Sequence, residues 1–585
     1  MRIALIAPPW PIFNRPSIQV AALAAYIRKR LPQVECRCFY PYLSLYEKIG
    51  AQLYGIISDS SWASEAIGAM LLTPGYEDQQ AELAIRMIKD GDAKKRLNRD
   101  TILEVRDSLQ SVLGELLGSL DWSGYDFVGI TVSLNQLCSG LYLAKEIKHL
   151  SPSTKIVMGG ASVSGTAGEA ILNTFPFIDF VVSGEGEGAL YSLIHSYLEA
   201  KPIDETFIRA EELKDMDSLP PPDFSDFFEE LQRLPPEKRF IPVLPVEFSR
   251  GCFWGRCTFC NLNLQWKGYR SKSSNRMARE VLWLSRRYGV LDFAFMDNAL
   301  PPKEMSEFFR EIRERGVDLK FFGELRASIS RELAQELGAS GLKTVQVGIE
   351  SLSPTLLRRL RKGRSVMDNM ATMRHLLEAG ISLEGNLILD FPGSSEKEVE
   401  ETMEALRFAR YFKPLKAVSF WLGLGSPVFS RSDEFQIRYM RPHRNYKTLF
   451  PEHSPSETMV YEYGGTLKRD RALWKRVRRE IGEWHRYWNE HARHIPPLTY
   501  RDGGDFVLIR QVLDKGTVLQ HRLQGLSRKI FLEMLEPIEI KAIMERNPGV
   551  SSESLHSFLE DLHVKGLIFK EGVKVLALPV RNRKI

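Results

Sequence analysis

The sequence predicts an α/β protein with a Rossmann-like doubly wound sheet, a partial (β/α)6 barrel, and a C-terminal helical and winged-helix-like region. Two runs of alternating strands and helices, separated by a proline-rich stretch, indicate the first two parts. At 585 residues the chain is too long for one ordinary domain. We therefore predict domains at 1–205, 243–430 and 431–585, with a linker at 206–242.

The first region contains short apolar runs that end near glycine and lead into helices. Strands are predicted at Arg2–Ala7, Val34–Tyr40, Asp126–Val132, Lys155–Met158 and Phe180–Val182. A polar, helical insertion is predicted at about 43–120. Ligands of doubly wound sheets bind beyond the carboxyl ends of the strands, so the loops at this edge are candidate binding loops.

A second alternation predicts six strands, enough for a partial barrel. They lie at Val243–Phe248, Leu291–Met296, Lys320–Leu325, Thr344–Ile349, Ser382–Leu389 and Ala417–Leu422. Polar residues fall in the second halves of these strands or just beyond them, where barrel enzymes build their sites. These candidate rim residues are Asp297, Asn298, Glu324, Arg326, Gln346, Glu350 and Asn386.

Composition limits the class of protein. Hydrophobic residues make up 44% of the chain and charged residues 26%, as in soluble globular proteins. No apolar run approaches the roughly 20 residues of a membrane span. A net charge of +5 is below the strongly basic charge that is typical of nucleic-acid-binding domains. Six cysteines in 585 residues are too few for a disulfide framework. We therefore expect a cytoplasmic protein without membrane or nucleic-acid partners.

Half of the cysteines stand in one short run. Cys252, Cys257 and Cys260 can hold three irons of a [4Fe–4S] cluster and leave the fourth iron open to a substrate. A structural zinc site would need a fourth ligand. The nearest histidines, His195 and His375, are distant in sequence, although a fold could bring one in. Three unrelated buried cysteines are the remaining alternative.

The run from Ser249 to Cys260 resembles the cysteine motif of the radical S-adenosylmethionine (SAM) superfamily. The usual spacing is Cys-x3-Cys-x2-Cys, and here the first interval has four residues. The resemblance implies that SAM binds the open iron. An electron from the cluster then cleaves the bond between the sulfur and the adenosyl carbon of SAM, and the resulting 5′-deoxyadenosyl radical abstracts hydrogen. It makes the three cysteines metal ligands and catalytic residues.

The same resemblance implies roles for the rim residues. Glu324 and Arg326 suit the amine, carboxylate and ribose of SAM, whereas Gln346 and Glu350 suit its ribose and adenine. The remaining predicted cofactor contacts on this rim are Asp297, Asn298 and Asn386. For any single charged residue, the alternative is an ordinary solvated loop.

The first domain resembles the cobalamin-binding domain that precedes many radical SAM domains. Gly159-Gly160 and Gly184-Glu185-Gly186-Glu187 carry this resemblance. No Asp-x-His-x-x-Gly motif follows the first strand, so the resemblance implies cobalamin without a histidine ligand, lying over Leu134, Asn135 and Gln136. Leu134 could not coordinate cobalt. The alternative is a Rossmann-like domain without a ligand.

Further stretches narrow the resemblance. They are Leu219-Pro220-Pro221-Pro222-Asp223, Tyr269-Arg270-Ser271-Lys272-Ser273, Phe295-Met296-Asp297-Asn298, Gly348-Ile349-Glu350-Ser351 and Gly423-Leu424-Gly425-Ser426-Pro427. They are similar to cobalamin-dependent radical SAM C-methyltransferases that mature ribosomal peptides, and to the enzyme that C-methylates a glutamine of methyl-coenzyme M reductase.

This resemblance implies C-methylation of an unactivated sp3 carbon with SAM, a [4Fe–4S] cluster and methylcobalamin. The implied partners are a peptide or protein substrate, with methyl-coenzyme M reductase as one candidate, and an electron donor such as ferredoxin or flavodoxin. Two alternatives stay open: a cobalamin radical SAM enzyme that cyclises or rearranges its substrate, and a non-catalytic peptide-binding protein. No second cysteine triad precedes the first, which disfavours a methylthiotransferase.

The C-terminal region predicts a long helix near Leu473–His491 and a hairpin with its turn at Glu571-Gly572, preceded by helices. Such a winged-helix-like module could hold a peptide by strand addition. It could also be a DNA-binding or purely structural tail. The basic run 358–364 predicts a solvated helix end or a contact with an anionic partner or the reductant.

Overall fold

The computed structural model describes residues 1–88, 91, 97–492 and 495–582. Its N-terminal part is built on one parallel sheet of six strands. Their spatial order is Glu35–Phe39, Arg2–Ile6, Phe127–Thr131, Lys155–Gly159, Phe180–Ser183 and Phe207–Arg209. The doubly wound sheet is therefore confirmed. The last strand falls in the predicted linker; it has three residues, none of them buried, and so has little apolar signal.

Helices cover this sheet and form the insertion. The sheet helices are Ile18–Arg30, Leu137–Leu150, Thr166–Thr174 and Gly186–Leu198, and the insertion helices are Tyr42–Ile49, Ala51–Ser58, Ser61–Leu72, Glu77–Met87 and Arg99–Ser119. The insertion is helical as predicted, but it is not polar throughout. Every residue of 62–72 is buried, because this helix packs among other helices. Most of the segment 89–96, which the prediction included, lies outside the described residues.

The second sheet forms the partial barrel, and its strands follow one another in sequence order. They are Leu244–Val246, Asp292–Phe295, Lys320–Arg326, Leu342–Gly348, Ser382–Glu384 continued by Asn386–Leu389, and Lys416–Ser419. All these pairings are parallel, which confirms the six-unit barrel. The fifth strand is broken at Gly385, where an added Cβ would lie 3.1 Å from the Val347 carbonyl oxygen. The break therefore reflects the close approach of two backbones.

Helices alternate with the barrel strands. They are Ser274–Tyr288, Pro302–Glu314, Arg331–Ala339, Pro354–Arg359, Val366–Ala379 and Glu396–Ala409. Several begin with a serine whose side chain caps the first turn, as Ser365 and Ser395 do in full capping boxes. These caps fix where each strand-to-helix loop ends.

The segment between the two sheets is more ordered than a draped linker. Helix Ser225–Arg233 packs against the first sheet through buried Phe227 and Leu231. Asp223 and Asp226 each form an ion pair with Arg28, at 2.6 and 2.7 Å. This helix was not predicted, because its amphipathic pattern is short and follows a run of prolines that is typical of a linker.

The C-terminal region contains the predicted long helix and a winged-helix unit. The long helix spans Leu467–His491. The winged-helix unit consists of helices Leu526–Glu533, Ile540–Arg546 and Ser552–Val564 with strands Ile538–Glu539, Ile568–Glu571 and Lys574–Ala577. Both predictions are confirmed.

Two further sheets in this region were not predicted. One orders Val518–Gln524, Phe506–Val512, Leu498–Asp502 and Val580–Arg581; the other orders Leu422–Gly423, Val460–Gly464 and Tyr439–Pro442. The strand Val518–Gln524 has no buried residue, so its apolar alternation is weak. Within the described ranges, no helix is long and apolar enough to cross a membrane.

Candidate active site

The three cysteines lie in the loop that follows the first barrel strand. A short antiparallel pairing of Ser249–Arg250 with Arg270–Ser271 closes the base of this loop. Cys252, Cys257 and Cys260 are all partly exposed and form no disulfide. The loop therefore presents three free thiols at the carboxyl end of the barrel, where the sequence predicted a site.

The loop is held by the backbone of the basic run. The Thr258 N–H donates to the Leu360 carbonyl oxygen at 3.1 Å, and its hydroxyl donates to the Arg359 carbonyl oxygen at 3.0 Å. The Trp254 indole N–H donates to the Arg361 carbonyl oxygen at 2.8 Å. The backbone of residues 359–361 thus supports the cysteine loop, while these contacts leave the side chains of Arg358 and Arg361 uninvolved.

Two cations influence the thiols. Burial raises the pKa of Cys257, and raises that of Cys260 to about 11, while the positive charge of Lys362 opposes both shifts. Arg326 also favours the Cys257 thiolate. A buried Nε of Arg326 has no hydrogen-bond partner among the described residues. The Arg326 guanidinium also donates to the Lys362 carbonyl oxygen, so its free Nε–H beside the thiols fits an anionic iron–sulfur cluster or a carboxylate ligand.

Within the described part of the chain, no three His, Cys, Asp or Glu side chains are gathered so as to hold one metal ion. A cubane places a different demand on its ligands, because each thiolate binds its own iron. The free loop thiols satisfy the ligand number that three irons require.

The Asp297 carboxylate is hydrogen-bonded to the residues that lead into the cysteine loop. It is buried and accepts hydrogen bonds from the Phe248 N–H at 3.0 Å and from the Ser249 N–H and hydroxyl. Asn298 donates to the Gly251 carbonyl oxygen at 3.4 Å. Both residues therefore fix the start of the cysteine loop, and the direct cofactor contacts predicted for them stay a prediction.

Burial raises the pKa of Asp297 to about 7. Between about pH 4 and pH 7 the folded protein then holds a proton that the unfolded chain has lost, so stability should fall as pH rises through this window. Over this pH range we expect the free energy of unfolding of Asp297→Asn to fall by up to about 4 kcal/mol less than that of the wild type. Urea denaturation at several pH values measures it. The exposed Asp318→Asn should keep the wild-type profile, and an equal pH slope in Asp297→Asn would contradict the assignment.

Polar residues of three neighbouring barrel strands lie side by side in register. Strand register places Glu324 beside Gln346 and Gln346 beside Glu384. Burial raises the pKa of Glu324 to about 7, and the charge of Glu350 adds to this shift. The sequence analysis missed Glu384, because its strand is interrupted one residue later and an isolated glutamate carries no distinguishing signal.

Lys362 joins the rim to the basic run. Its ammonium lies 3.2 Å from a carboxylate oxygen of Glu350 and 5.8 Å from the centre of the Phe259 ring. Glu350 has a left-handed backbone with φ of 62°, and its N–H donates to the Asn386 carbonyl oxygen at 3.0 Å. Sequence analysis missed Lys362 because it stands in a charged run, yet the side chain is buried beside the thiols.

A buried ion-pair network connects the first sheet to the cysteine loop. Arg250 pairs with Glu185 at 2.9 Å, Glu187 at 2.5 Å and Glu247 at 2.9 Å. Glu185 also pairs with Arg270 at 2.6 Å. Glu185 thus joins the first sheet to Arg250, which stands two residues ahead of Cys252, and its predicted cofactor contact stays a prediction.

The predicted cobalamin glycines are explained by the fold. Gly160 has φ of 111°, and an added Cβ would lie 2.4 Å from the Val132 carbonyl oxygen. Gly184 has φ of 109°, with Ala210 at 3.3 Å, whereas Gly159 meets only ordinary contacts with Val182. Gly160 and Gly184 are required by backbone geometry, whether or not a ligand lies beyond them.

The loop after the third strand is partly open. Gln136 is buried, donates to the Pro8 carbonyl oxygen at 2.7 Å and accepts from the Ser133 hydroxyl at 2.6 Å. Asn135 donates to the Ser58 carbonyl oxygen at 2.7 Å but leaves a buried carbonyl oxygen without a partner in the described structure. These contacts set the shape of the loop around Leu134.

Leu134 is 59% exposed, and Ile12, beyond the neighbouring strand, is 53% exposed. Exposed apolar side chains in the loops that follow two neighbouring strands fit contact with a broad apolar ligand such as a corrin. A cavity beside Leu134 has a volume of only about 40 Å³. This cavity is too small to enclose a corrin, and Leu134 offers no atom to coordinate cobalt.

Residues 246–406 match the model of the radical SAM superfamily. An uncharacterized methyltransferase of Pyrococcus horikoshii is 28% identical over 299 residues, which cover 48% of this chain and 63% of the relative. The chain spans less than two thirds of the length of the curated relatives it matches.

Two solved structures share the fold. The cobalamin-dependent SAM radical enzyme OxsB with aqua-cobalamin bound gives a TM-score of 0.56 at 15% identity, covering 85% of this chain and 69% of that one. The radical SAM methyltransferase TsrM of Kitasatospora setae, with cobalamin and a [4Fe–4S] cluster bound, gives a TM-score of 0.55 at 16% identity, and the match covers 85% of this chain and 93% of that one. The combination of a doubly wound sheet and a partial barrel is thus found in both.

Proposed function

We propose that this protein is a cobalamin-dependent radical SAM enzyme that methylates an unactivated sp3 carbon of a peptide or protein. The observation that carries the proposal is the trio of free, partly exposed thiols at the barrel rim, next to the buried and unpaired Nε of Arg326. The radical SAM domain and the likeness to OxsB and TsrM support it.

The chain's residues have distinct parts in this proposal. Cys252, Cys257 and Cys260 hold the cluster, which supplies the electron that cleaves SAM. Arg326 offers a hydrogen bond and positive charge to the SAM carboxylate. Glu324, once ionised, accepts hydrogen bonds from an ammonium group, and Gln346 lies beside it for a neutral polar contact. The aromatic side chains of the cysteine loop limit the access of water.

Cobalamin, when bound, supplies the methyl group. Leu134 and Ile12 provide its apolar contact at the open edge of the first sheet, and the free carbonyl oxygen of Asn135 can accept a hydrogen bond from it. Because such an sp3 C–H is far too weak an acid for a side-chain base at neutral pH, the chain needs no general base. Its task is to position the cofactors and the substrate.

The substrate class rests on the C-terminal region. The winged-helix unit and the exposed strand Val518–Gln524 at the edge of its sheet offer backbone groups to an extended peptide. A ribosomally made peptide fits this mode, and methyl-coenzyme M reductase is one protein candidate. This part of the proposal is independent of the cluster site.

The test uses anaerobically reconstituted protein with SAM, cobalamin, a reductant and peptides encoded by neighbouring genes. We expect S-adenosylhomocysteine and 5′-deoxyadenosine in equal amounts, and a gain of one methylene unit in the peptide by mass spectrometry. Deoxyadenosine without S-adenosylhomocysteine would indicate the non-methylating alternative. Iron-replete protein that cleaves no SAM would refute the proposed enzyme class.

A further inference from the structure

An open groove of about 860 Å³ runs along the cysteine loop. Trp254 and Arg256, which stand between Cys252 and Cys257 in the sequence, form part of one wall. The basic run contributes Arg358, Arg361 and Arg364 to the lining. We call this feature the basic groove.

The charge of the basic groove is not neutralised from within. Among the described residues, Arg256, Arg358, Arg361 and Arg364 form no ion pair, whereas the adjacent Arg359 and Lys362 are paired with Glu398 and Glu350. Arg256, Arg358 and Arg361 are exposed. Three solvated arginines that line one groove, and that form no ion pair within the described residues, create a local positive field that attracts an anionic partner.

The two acidic residues of the groove, Asp368 and Glu571, offset only part of the charge of the four arginines that have no ion pair in the described structure. Asp368 caps its own helix by accepting from the Ser365 N–H at 2.9 Å. Glu571, on the winged-helix hairpin, accepts from the Val366 N–H at 3.3 Å and the Met367 N–H at 2.6 Å. Both carboxylates are thus engaged by the positive end of the helix Val366–Ala379.

The groove lies directly beside the loop that carries the ligands of the proposed cluster. Trp254 donates to the Arg361 carbonyl oxygen, and an added Cβ on Gly363 would overlap the Trp254 ring at 2.1 Å. Loop and basic run are therefore packed directly on each other. A partner seated in the groove contacts the same loop that carries the cluster ligands.

We propose that the basic groove docks a small acidic electron-transfer protein that reduces the cluster. This rests on the proposed function, since reductive SAM cleavage requires an electron from outside the chain. One electron leaves the reduced donor, which is oxidised, and enters the oxidised cluster, which is reduced; no atom is exchanged. Arg256, Arg358 and Arg361 steer and hold the donor through its carboxylates.

The test pairs two double variants with the same change in net charge. Arg358→Glu with Arg361→Glu alters the groove. Lys475→Glu with Arg479→Glu alters a second basic surface, on the long helix Leu467–His491, where both side chains are exposed. The probe is a fluorescently labelled bacterial flavodoxin, whose affinity for each full-length protein is measured by anisotropy at low and high salt.

At low salt we expect the groove variant to bind flavodoxin at least about tenfold more weakly than the wild type, and the helix variant to bind within about twofold. At high salt the flavodoxin affinity of the wild type should fall close to that of the groove variant, because screening removes the electrostatic attraction. Equal affinity of the groove variant and the wild type would overturn the proposal. So would equal weakening in both double variants, or tighter binding of a single-stranded oligonucleotide than of flavodoxin.

A second readout separates this proposal from the proposed function. With dithionite as reductant, the groove variant should cleave SAM at the wild-type rate, whereas with reduced flavodoxin it should be slower by about the loss in affinity. Loss of dithionite-driven cleavage in the groove variant alone would place these arginines in the reaction site and overturn docking. If the wild type cleaves no SAM with dithionite, the proposed function fails, while the binding result still decides the docking proposal.

Discussion

Replacing any one of Cys252, Cys257 or Cys260 with alanine is expected to abolish SAM cleavage and to reduce bound iron from about four atoms per chain to near zero. Two thiolates cannot retain a cubane that depends on three, and no other cysteine of the described structure lies in this loop. Iron and sulfide analysis after anaerobic reconstitution measures the loss, together with the sulfur-to-iron charge-transfer absorption. Activity should fall to the level of the uncatalysed background.

The matched control is Cys36→Ala, because Cys36 is buried in a strand of the first sheet and burial raises its pKa to about 12. This variant should reconstitute like the wild type. Normal iron content in a loop variant would mean that a different group completes the site. That result would remove the basis of the proposed function, because a cluster with an open iron requires these three ligands.

Arg250→Met is expected to destabilise the protein by about 3–5 kcal/mol, since it leaves Glu185 and Glu187 buried without their shared cation. Burial alone would raise the pKa of Glu187, but the Arg250 guanidinium outweighs it and holds the pKa below its ordinary value. In the wild type this interaction stabilises the fold above about pH 4.5 and is lost as pH falls further. The variant should instead lose stability as pH rises towards neutral.

Urea denaturation at pH 5 and pH 8 measures both effects of Arg250→Met. Arg315→Met is the control, since Arg315 pairs with Glu311 at 3.0 Å on an exposed helix surface. Its unfolding midpoint should stay at the wild-type value. We also expect Arg250→Met to bind less iron, because the freed cysteine loop loses its tie to the first sheet. A midpoint unchanged in Arg250→Met would show that the network contributes nothing to the joining of the two domains.

Local patterns were enough to predict the repeating elements. The apolar strands around Leu5 and Val128, and the helix that follows Asn298, each carry their own periodicity, so six barrel strands and five strands of the first sheet could be predicted. The strand at Phe207–Arg209 could not, because it is short and pairs along only one edge of the sheet. The exposed strand Val518–Gln524 lacked the apolar alternation on which such predictions depend.

The rim positions of Glu324 and Gln346 also followed from sequence, because parallel strands bring their carboxyl ends to one edge. Their detailed contacts did not. Asp297 and Glu185 are polar residues in the expected places, yet one anchors the cysteine loop and the other joins two domains. A carboxylate has the same appearance in a sequence whether it faces a ligand or another part of the chain.

The sequence by itself determined the order of the elements and the presence of three thiols in one loop, since both depend on residues close together along the chain. Only the tertiary structure decided which charges are neutralised. Arg250 is buried among three carboxylates, whereas Arg361 is solvated and forms no ion pair with the described residues. That difference arises because ion pairing and desolvation depend on neighbours that folding brings together from distant segments.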